Sequence, residues 1–300
     1  MITKINGHID APIKAMSWAI AGNFFYASEN AIAKLLTSNF HPIQILFFYG
    51  LVMFVMASWV CKFSGGVETL KTNRPILHGI RSIVMIATFY TYILALSTLQ
   101  LANVIAIMFV TPILAIIFSL IFLNEKINIY RWVAISIAIT GVMFIIRPEY
   151  GALEAGVFWA ILSATLAAID TILTRKLTYT ESSSTIVFYL AASYVIVTGA
   201  ILPIVWVWVD FKNLMILLGM GLSGLLAQYA ITHAYRYAGP PVISPLDYTM
   251  LLWGIIFGYL FWGDLPNAFT YIGSSMLIVA GLIVTYWDSK KQKAAATNGR

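Results

Sequence analysis

Two carboxylates lie inside stretches of the sequence that are otherwise apolar. Glu29 interrupts the run AMSWAIAGNFFYASENAIAKLL, and Asp170 interrupts the run VFWAILSATLAAIDTILTRKLT. If these runs cross a bilayer, an ionised side chain there is costly unless it has a partner or faces a water-filled cavity, so such acids are functional by default. Each carboxylate could bind a cationic substrate group or exchange a proton. The structural alternative is an interhelical hydrogen bond or ion pair, with Arg175 as one partner for Asp170.

One arginine lies within a third apolar stretch. Arg81 has a planar guanidinium group that suits carboxylates and phosphates, and His78 precedes it by about one helical turn. Arg81 could hold an anionic group of a substrate, or it could pair with Glu29 or Asp170. The alternative is that its side chain extends to the lipid head groups.

Two later stretches carry further polar candidates. Gln228, Thr232 and Tyr235 have the spacing of one helix face. Asp247 follows Pro245, which interrupts helical hydrogen bonding and frees carbonyl groups. The alternative for this segment is a helix start shaped by prolines, with the acid near the membrane interface. The candidate substrate-binding or coupling residues are therefore Glu29, Asp170, Arg81, Asn23, Tyr90, Gln228, His233, Asp247 and Tyr248.

The sequence lacks the common signatures of enzymes and of metal sites. It contains no HExxH, GxSxG or Walker-type motif, its four histidines are dispersed, and Cys61 is its single cysteine. We therefore predict no catalytic residue, no metal site and no cofactor. A membrane-embedded enzyme that uses scattered carboxylates is the alternative from another functional class.

The composition is that of a chain surrounded by lipid. Hydrophobic residues make up 60% of the sequence and charged residues 10%, whereas soluble domains have about 25% charged residues. Runs of about 20 apolar residues can cross a bilayer, and such runs predict an all-α membrane protein with ten transmembrane helices. The runs lie near residues 15–36, 42–61, 76–97, 101–122, 131–147, 154–175, 185–208, 213–235, 242–262 and 268–287.

The distribution of Lys and Arg predicts the orientation of these spans. With the N-terminus inside, fourteen basic residues flank the cytoplasmic ends and three flank the outer ends, as the positive-inside rule requires. We therefore expect a multi-pass membrane protein with both termini cytoplasmic. Because the basic residues lie between apolar runs, the net charge of +6 does not indicate a nucleic-acid partner. The expected partners are a small-molecule substrate and the lipid bilayer, and a homodimer is left open.

The first half of the chain is repeated in the second half at an offset of about 141 residues. ASENAIAKLLT (27–37) aligns with AIDTILTRKLT (168–178), which pairs Glu29 with Asp170. Because each half has five helices, an odd number, the two halves must enter the membrane from opposite sides. Inverted repeats of this kind are typical of secondary transporters, whose substrate site lies near the bilayer midplane. We assign residues 13–148 to the first repeat, 152–288 to the second and 289–300 to a cytoplasmic tail.

The stretch LQLANVIAIMFVTPILAIIFSLIFLNEKINIYRWVAISIAITGVMFIIRP resembles the EamA-type domain of the drug/metabolite transporter superfamily. The resemblance lies in a central Pro112, a turn at Asn124 and Glu125, and Gly141. A similar pattern, PVISPLDYTMLLWGIIFGYLFWGDLPN, follows in the second half. The resemblance covers about residues 13–288. It implies ten helices in two inverted five-helix repeats, with a central cavity lined by helices 1, 3, 4, 6, 8 and 9.

Within that family the chain is most similar to members that take up S-adenosylmethionine or riboflavin. The resemblance thus implies a secondary carrier that moves a small polar metabolite by alternating access across the inner membrane. The substrate would be S-adenosylmethionine, riboflavin or an amino acid derivative. The alternative within the same family is an exporter of metabolites or amino acids. Import or export, and the driving force, are left open at this point.

Overall fold

The computed structural model describes residues 3–63, 70–123, 129–146, 155–237 and 240–298. Every regular element within these ranges is a helix. Asn124 and Glu125, and the boundary predicted between the repeats at 148–152, lie outside the described residues. The helices are α1 (Thr3–Leu36), α2 (Pro42–Phe63), α3 (Pro75–Thr98), α4 (Leu101–Met108), α5 (Thr111–Leu123), α6 (Ile129–Ile146), α7 (Ala155–Thr178), α8 (Ser183–Val205), α9 (Phe211–Tyr237), α10 (Pro240–Ile243), a 3-10 helix (Ser244–Tyr248), α11 (Thr249–Trp262) and α12 (Ala268–Asn298).

These helices form ten membrane-crossing segments, which confirms the predicted fold class. The fourth segment consists of α4 and α5, and the ninth consists of α10, the 3-10 helix and α11. Among the described residues, seven segments are apolar and long enough to cross a bilayer by length and composition alone. The apolar helices of the fifth and ninth spans are shorter. The first span, α1, is less apolar because it contains polar residues that include Asn23, Glu29 and Asn30.

The fourth and ninth spans are interrupted. The fourth was predicted as a continuous helix, whereas an interruption at Pro245 was expected in the ninth. Phe109 and Val110 form a turn between α4 and α5. Pro112 follows this turn and has no N–H group, so it cannot donate the helical hydrogen bond to the carbonyl of Met108. In the ninth span the interruption is the 3-10 helix, which contains Pro245. At the offset between the two halves, the interruptions fall within a few residues of each other, and discontinuous spans of this kind border the substrate site in many transporters.

Two helices extend beyond the predicted spans. The first span was predicted from about residue 15, but α1 begins at Thr3. The last span was predicted to end near residue 287, but α12 continues to Asn298. The segment assigned to a cytoplasmic tail therefore continues the last helix for most of its length.

The packing of the helices has the symmetry expected of two repeats. Helix α1 packs along α9, and its equivalent α7 packs along α3, which is the equivalent of α9. Helix α2 packs on its own equivalent α8, and α6 packs on its own equivalent α12. Exchanging the two halves therefore reproduces the same set of contacts, and the odd number of spans in each half inverts one repeat relative to the other.

Small residues at equivalent positions allow helices of one repeat to approach helices of the other closely. A Cβ atom at Gly22 would lie 2.7 Å from the side chain of Ile231 on α9. The equivalent residue in the second half is Ser163, whose hydroxyl donates to the carbonyl of Thr88 on α3 at 2.9 Å. Small residues at helix contacts are the usual means of close packing in membranes. Further buried pairs at the same offset are Ala19 with Ala160 and Ala27 with Ala168.

Candidate functional site

A cavity of about 470 Å³ lies between the two repeats. Its walls come from α1, α2, α3 and α4 in the first half and from α7, α8, α9 and α11 in the second half. The walls therefore include all six spans implied by the resemblance, together with spans 2 and 7. Equivalent positions face the cavity in both halves, for example Tyr49 with Leu190 and Met53 with Tyr194. The symmetry of the backbone is thus not repeated in the side chains.

The wall of this central cavity is rich in aromatic groups. The rings of Tyr49 and Phe89 are stacked with their centroids 4.8 Å apart, and Tyr194 meets Tyr49 edge-on at 6.0 Å. Tyr26 donates a hydrogen bond to Oε1 of Gln228 at 2.8 Å. Such a surface can hold a planar group, and aromatic faces also attract cations. Four methionines complete the apolar wall, namely Met53, Met85, Met108 and Met250.

Glu29 lies in the wall of the central cavity and is 4% exposed. Within the described residues its carboxylate takes part in no hydrogen bond and no ion pair. The nearest part of α9 is Gly224, where an added Cβ atom would lie 3.0 Å from Oε2 of Glu29 and 3.3 Å from the ring of Tyr49. The acid is therefore surrounded by backbone and an aromatic ring, and it is available to a cation that enters the cavity.

Asp170, the equivalent of Glu29, is neutralised by Arg81. The guanidinium Nε lies 3.1 Å from Oδ1 of Asp170 and donates to Oγ1 of Thr174 at 2.7 Å. The hydroxyl of Thr174 in turn donates to Oδ2 of Asp170 at 3.3 Å, and Nη1 of Arg81 donates to the carbonyl of Ile186 at 3.4 Å. Arg81 is 7% exposed. Of the roles considered for this arginine, the structure contains the pairing with Asp170, and Arg81 also lines the central cavity.

The two equivalent acids therefore differ in their electrostatic environment. At the offset of 141 residues the position equivalent to Arg81 is Leu222, an exposed apolar residue. Asp170 thus has a basic partner from α3, whereas Glu29 has none from α9. The arginine that could offset the charge of the cavity is already engaged by the other acid, so the cavity presents one uncompensated carboxylate.

A second cavity of about 400 Å³ adjoins the first and shares Tyr92, Met108 and Met250 with it. It lies between the interruptions of the fourth and ninth spans and α12. Asp247 lines this cavity and comes from the 3-10 helix. Thr111, at the start of α5, also lines it. The interruptions of the two spans thus place polar groups inside the membrane region.

Tyr248 and Asn23 hold the second cavity in shape. The ring of Tyr248 lies 5.0 Å from that of Phe109, and its hydroxyl contacts Gly281 on α12, where any side chain would occupy the same space. Asn23 on α1 donates from Nδ2 to the carbonyl of Leu246 at 2.8 Å. The interrupted ninth span is therefore fixed to both α1 and α12.

Four of the nine sequence candidates do not line the central or the second cavity, namely Asp170, Asn23, Tyr90 and His233. The ring of His233 is 4.2 Å from that of Tyr229 and 5.2 Å from that of Trp18, at the contact between α9 and α1. The ring of Tyr90 lies 6.1 Å from that of His41. In the described part of the chain neither His233 nor Tyr90 lines the central or the second cavity. His233 thus contacts α1, and Tyr90 contacts the residue that precedes α2.

The stripe predicted on the eighth span contributes one residue to the central cavity. Gln228 lines it, whereas Thr232 is exposed and its hydroxyl donates to the carbonyl of Gln228. Tyr235 is 44% exposed. The individual rings of the aromatic wall, in contrast, were not among the candidates, because aromatic residues in apolar runs are expected to pack against helices or lipid. The one available signal was the occurrence of tyrosines far from span ends; the residues concerned are Tyr26, Tyr49 and Tyr194.

A further ionic contact lies at the C-terminal end of α1. Nζ of Lys34 donates to the carbonyl of Leu99 at 2.6 Å and lies 3.7 Å from Oδ2 of Asp264. The same ammonium is 5.0 Å from the centroid of the Trp262 ring. Because these groups come from the ends of α1, α3 and α11, the lysine connects three spans at one end of the bundle.

Comparison with known proteins identifies the architecture. The model of the EamA-like transporter family matches residues 13–147 and 154–287. A solved crystal structure has the same fold, with a TM-score of 0.62 and 12% identity, and the match covers 92% of this chain and 98% of that one.

Relatives of similar length carry the names of transporters. The S-adenosylmethionine uptake transporter of Rickettsia conorii is 24% identical over 95% of this chain and 97% of its own. The riboflavin transporter of Vibrio cholerae is 24% identical over 94% and 96% of the two chains. The pseudopaline exporter CntI of Pseudomonas aeruginosa is 24% identical over 87% and 92%. With its two matched domains and ten spans, this multi-pass membrane protein belongs to the EamA-like transporter family.

Proposed function

We propose that this transporter moves a metabolite that carries a positive charge beside a planar or apolar group, and that S-adenosylmethionine is such a substrate. The observation that supports the proposal is the uncompensated carboxylate of Glu29 in the aromatic central cavity. An isolated buried charge is unfavourable unless it is paired. A cationic substrate would supply the missing partner.

A sulfonium group suits this cavity for a physical reason. It is a permanent cation without an N–H or O–H group, so it is held by opposite charge and by aromatic faces. The carboxylate of Glu29 and the rings of Tyr49, Phe89 and Tyr194 offer both. The adenine ring is planar and can lie against the same aromatic wall. The volume of about 470 Å³ is within the range of small-molecule sites.

The charge of the cavity also distinguishes the substrates named for the relatives. Riboflavin is planar but neutral, so it brings no positive charge to Glu29 and could meet this residue only through its N–H and O–H groups. S-adenosylmethionine pairs the carboxylate. The relative from Rickettsia conorii is named for that compound, and the proposal therefore favours it over riboflavin.

Alternating access would follow from the inverted repeats. Rocking of one repeat against the other would expose the central cavity to each side in turn, and the interrupted fourth and ninth spans border it. We propose residues 13–148 and 152–288 as the two repeats. The excess of Lys and Arg at one side supports cytoplasmic termini, with a short tail at 289–300, in the inner membrane of a bacterium.

Uptake into proteoliposomes tests this proposal. The purified protein is reconstituted, and accumulation of labelled S-adenosylmethionine is measured against protein-free liposomes. We expect saturable uptake that unlabelled S-adenosylmethionine abolishes and that riboflavin, neutral amino acids and adenosine leave largely unchanged. Uptake of labelled riboflavin, with no uptake of S-adenosylmethionine, would show that the carboxylate does not select a cation and would refute the proposal.

A further inference from the structure

The second cavity has groups that match an amino acid. It is lined by the carboxylate of Asp247 and by the hydroxyl groups of Thr111 and Tyr248. The hydroxyl oxygen of Thr111 is buried and has no hydrogen-bond partner among the described residues. No Lys, Arg or His is among the described residues that line this cavity. The cavity therefore offers one negative charge and hydroxyl donors, without a cation.

The interruptions of the fourth and ninth spans add acceptors to this cavity. Because Pro112 has no N–H group, the carbonyl of Met108 lacks its usual helical partner, and Met108 lines the cavity. A primary ammonium has three donors that can be shared between the Asp247 carboxylate and such a carbonyl. A carboxylate beside that ammonium could accept from the hydroxyl of Thr111. These are the two charged groups of an α-amino acid.

The second cavity adjoins the first, and the two share part of their walls. Tyr92, Met108 and Met250 line the two cavities together. Two carboxylates in adjoining cavities fit a substrate with two positive centres.

We infer that the cavity at Asp247 binds the α-amino acid group of the substrate, with the ammonium on Asp247 and the carboxylate on Thr111, while the second cationic centre lies against Glu29. This inference rests on the proposed function. It assigns the substrate class as an α-amino acid whose side chain carries a further positive charge and an aromatic group. S-adenosylmethionine is a member of that class, and its sulfonium and ammonium groups are the two centres.

The test uses two ligands that differ in the amino acid group alone. S-adenosylmethionine has the sulfonium, the adenosine and the amino acid, whereas 5′-deoxy-5′-(dimethylsulfonio)adenosine has the sulfonium and the adenosine. Equilibrium binding of both is measured with the purified full-length protein in detergent, for the wild type, Asp247→Asn and Thr111→Val. Asp210→Asn serves as a matched control, because Asp210 is exposed at the start of α9 and contacts neither cavity.

We expect the wild type to bind S-adenosylmethionine more tightly than the truncated sulfonium, by about tenfold or more, as for hydrogen bonds to charged groups. Asp247→Asn should lower the affinity for S-adenosylmethionine by about tenfold or more and change the affinity for the truncated sulfonium by less than about twofold. Thr111→Val should also lower the affinity for S-adenosylmethionine more than the affinity for the truncated sulfonium, but by a smaller factor. Asp210→Asn should leave both affinities unchanged, and binding of the truncated sulfonium shows that each variant is folded.

Two results would overturn the inference. If Asp247→Asn lowers the affinity for both ligands equally, or for neither, Asp247 does not recognise the amino acid group. The proposed function then stands as long as the wild type binds the sulfonium. If the wild type binds neither ligand, the proposed function and this inference fail together.

Discussion

The ion pair between Arg81 and Asp170 gives the sharpest prediction for stability. Nε of Arg81 lies 3.1 Å from Oδ1 of Asp170, and the exposed fractions of the two side chains are 9% and 13%. Removal of one partner leaves the other charge buried. We therefore expect Arg81→Met and Asp170→Asn each to destabilise the protein strongly. The double variant should lose much less unfolding free energy than the sum of the two single losses.

The expected magnitude follows from the geometry. Two unit charges about 4 Å apart attract each other by about 4 kcal/mol at an effective dielectric constant near 20. Removing one partner of a buried pair costs about 3–5 kcal/mol. The hydroxyl of Thr174, which bonds both groups, retains some of the polar contacts in each single variant. We expect a coupling energy of about 2–3 kcal/mol between Arg81 and Asp170 in a double-mutant cycle.

Unfolding of the purified protein by SDS in mixed micelles measures these free energies. The wild type, the two single variants and the double variant complete the cycle. A parallel cycle of Arg81→Met with Asp264→Asn is the control, because Asp264 contacts Lys34 and not Arg81. If the two single effects of Arg81→Met and Asp170→Asn simply add, within about 0.5 kcal/mol, the pair is not coupled and the electrostatic interpretation is wrong.

Two further predictions concern the packing of spans. A Cβ atom at Gly273 would touch the carbonyl of Gly141 and lie 2.6 Å from Ile145, where α12 crosses α6, so Gly273→Ala should lower the free energy of unfolding by about 1–3 kcal/mol. Gly79→Ala meets nothing within 4 Å and should be neutral or slightly stabilising; equal losses at both glycines in SDS unfolding would contradict the packing argument. Lys34→Met removes the donor to the carbonyl of Leu99 and should lower the free energy of unfolding by about 1–3 kcal/mol in the same assay. An unchanged unfolding midpoint would show that this contact is not stabilising.

The fold could be predicted because its determinants are local or periodic. Apolar runs of sufficient length define spans wherever the chain cannot bury its backbone otherwise, and the match of Glu29 to Asp170 indicated two halves. The interruptions of the fourth and ninth spans were less predictable. Pro245 was expected to interrupt its helix, but Pro112 was noted only as a central proline of its apolar run, and a proline in a membrane helix can also be accommodated by neighbouring helices.

Charged residues of the candidate site were identified from the sequence, but the aromatic residues of the central cavity were not. Glu29 and Asp247 were identified because a carboxylate is rare inside an apolar run, and both line cavities in the structure. Tyr49 and Phe89 were not identified, because the sequence does not tell which face of a wholly apolar helix meets a cavity and which meets lipid. The partner of Arg81 was left open for the same reason, since it depends on how α3 and α7 are rotated against each other.

The central claim is that Glu29 recognises a positive charge, and one pair of ligands tests it directly. S-adenosylhomocysteine has the shape of S-adenosylmethionine without the methyl group and the charge on sulfur. Binding of both compounds to the wild type and to Glu29→Gln would be measured by equilibrium titration. We expect the wild type to prefer S-adenosylmethionine by about tenfold or more, and Glu29→Gln to reduce this preference to about twofold or less. A preference that is unchanged in Glu29→Gln would show that the carboxylate does not select the cation and would contradict the account.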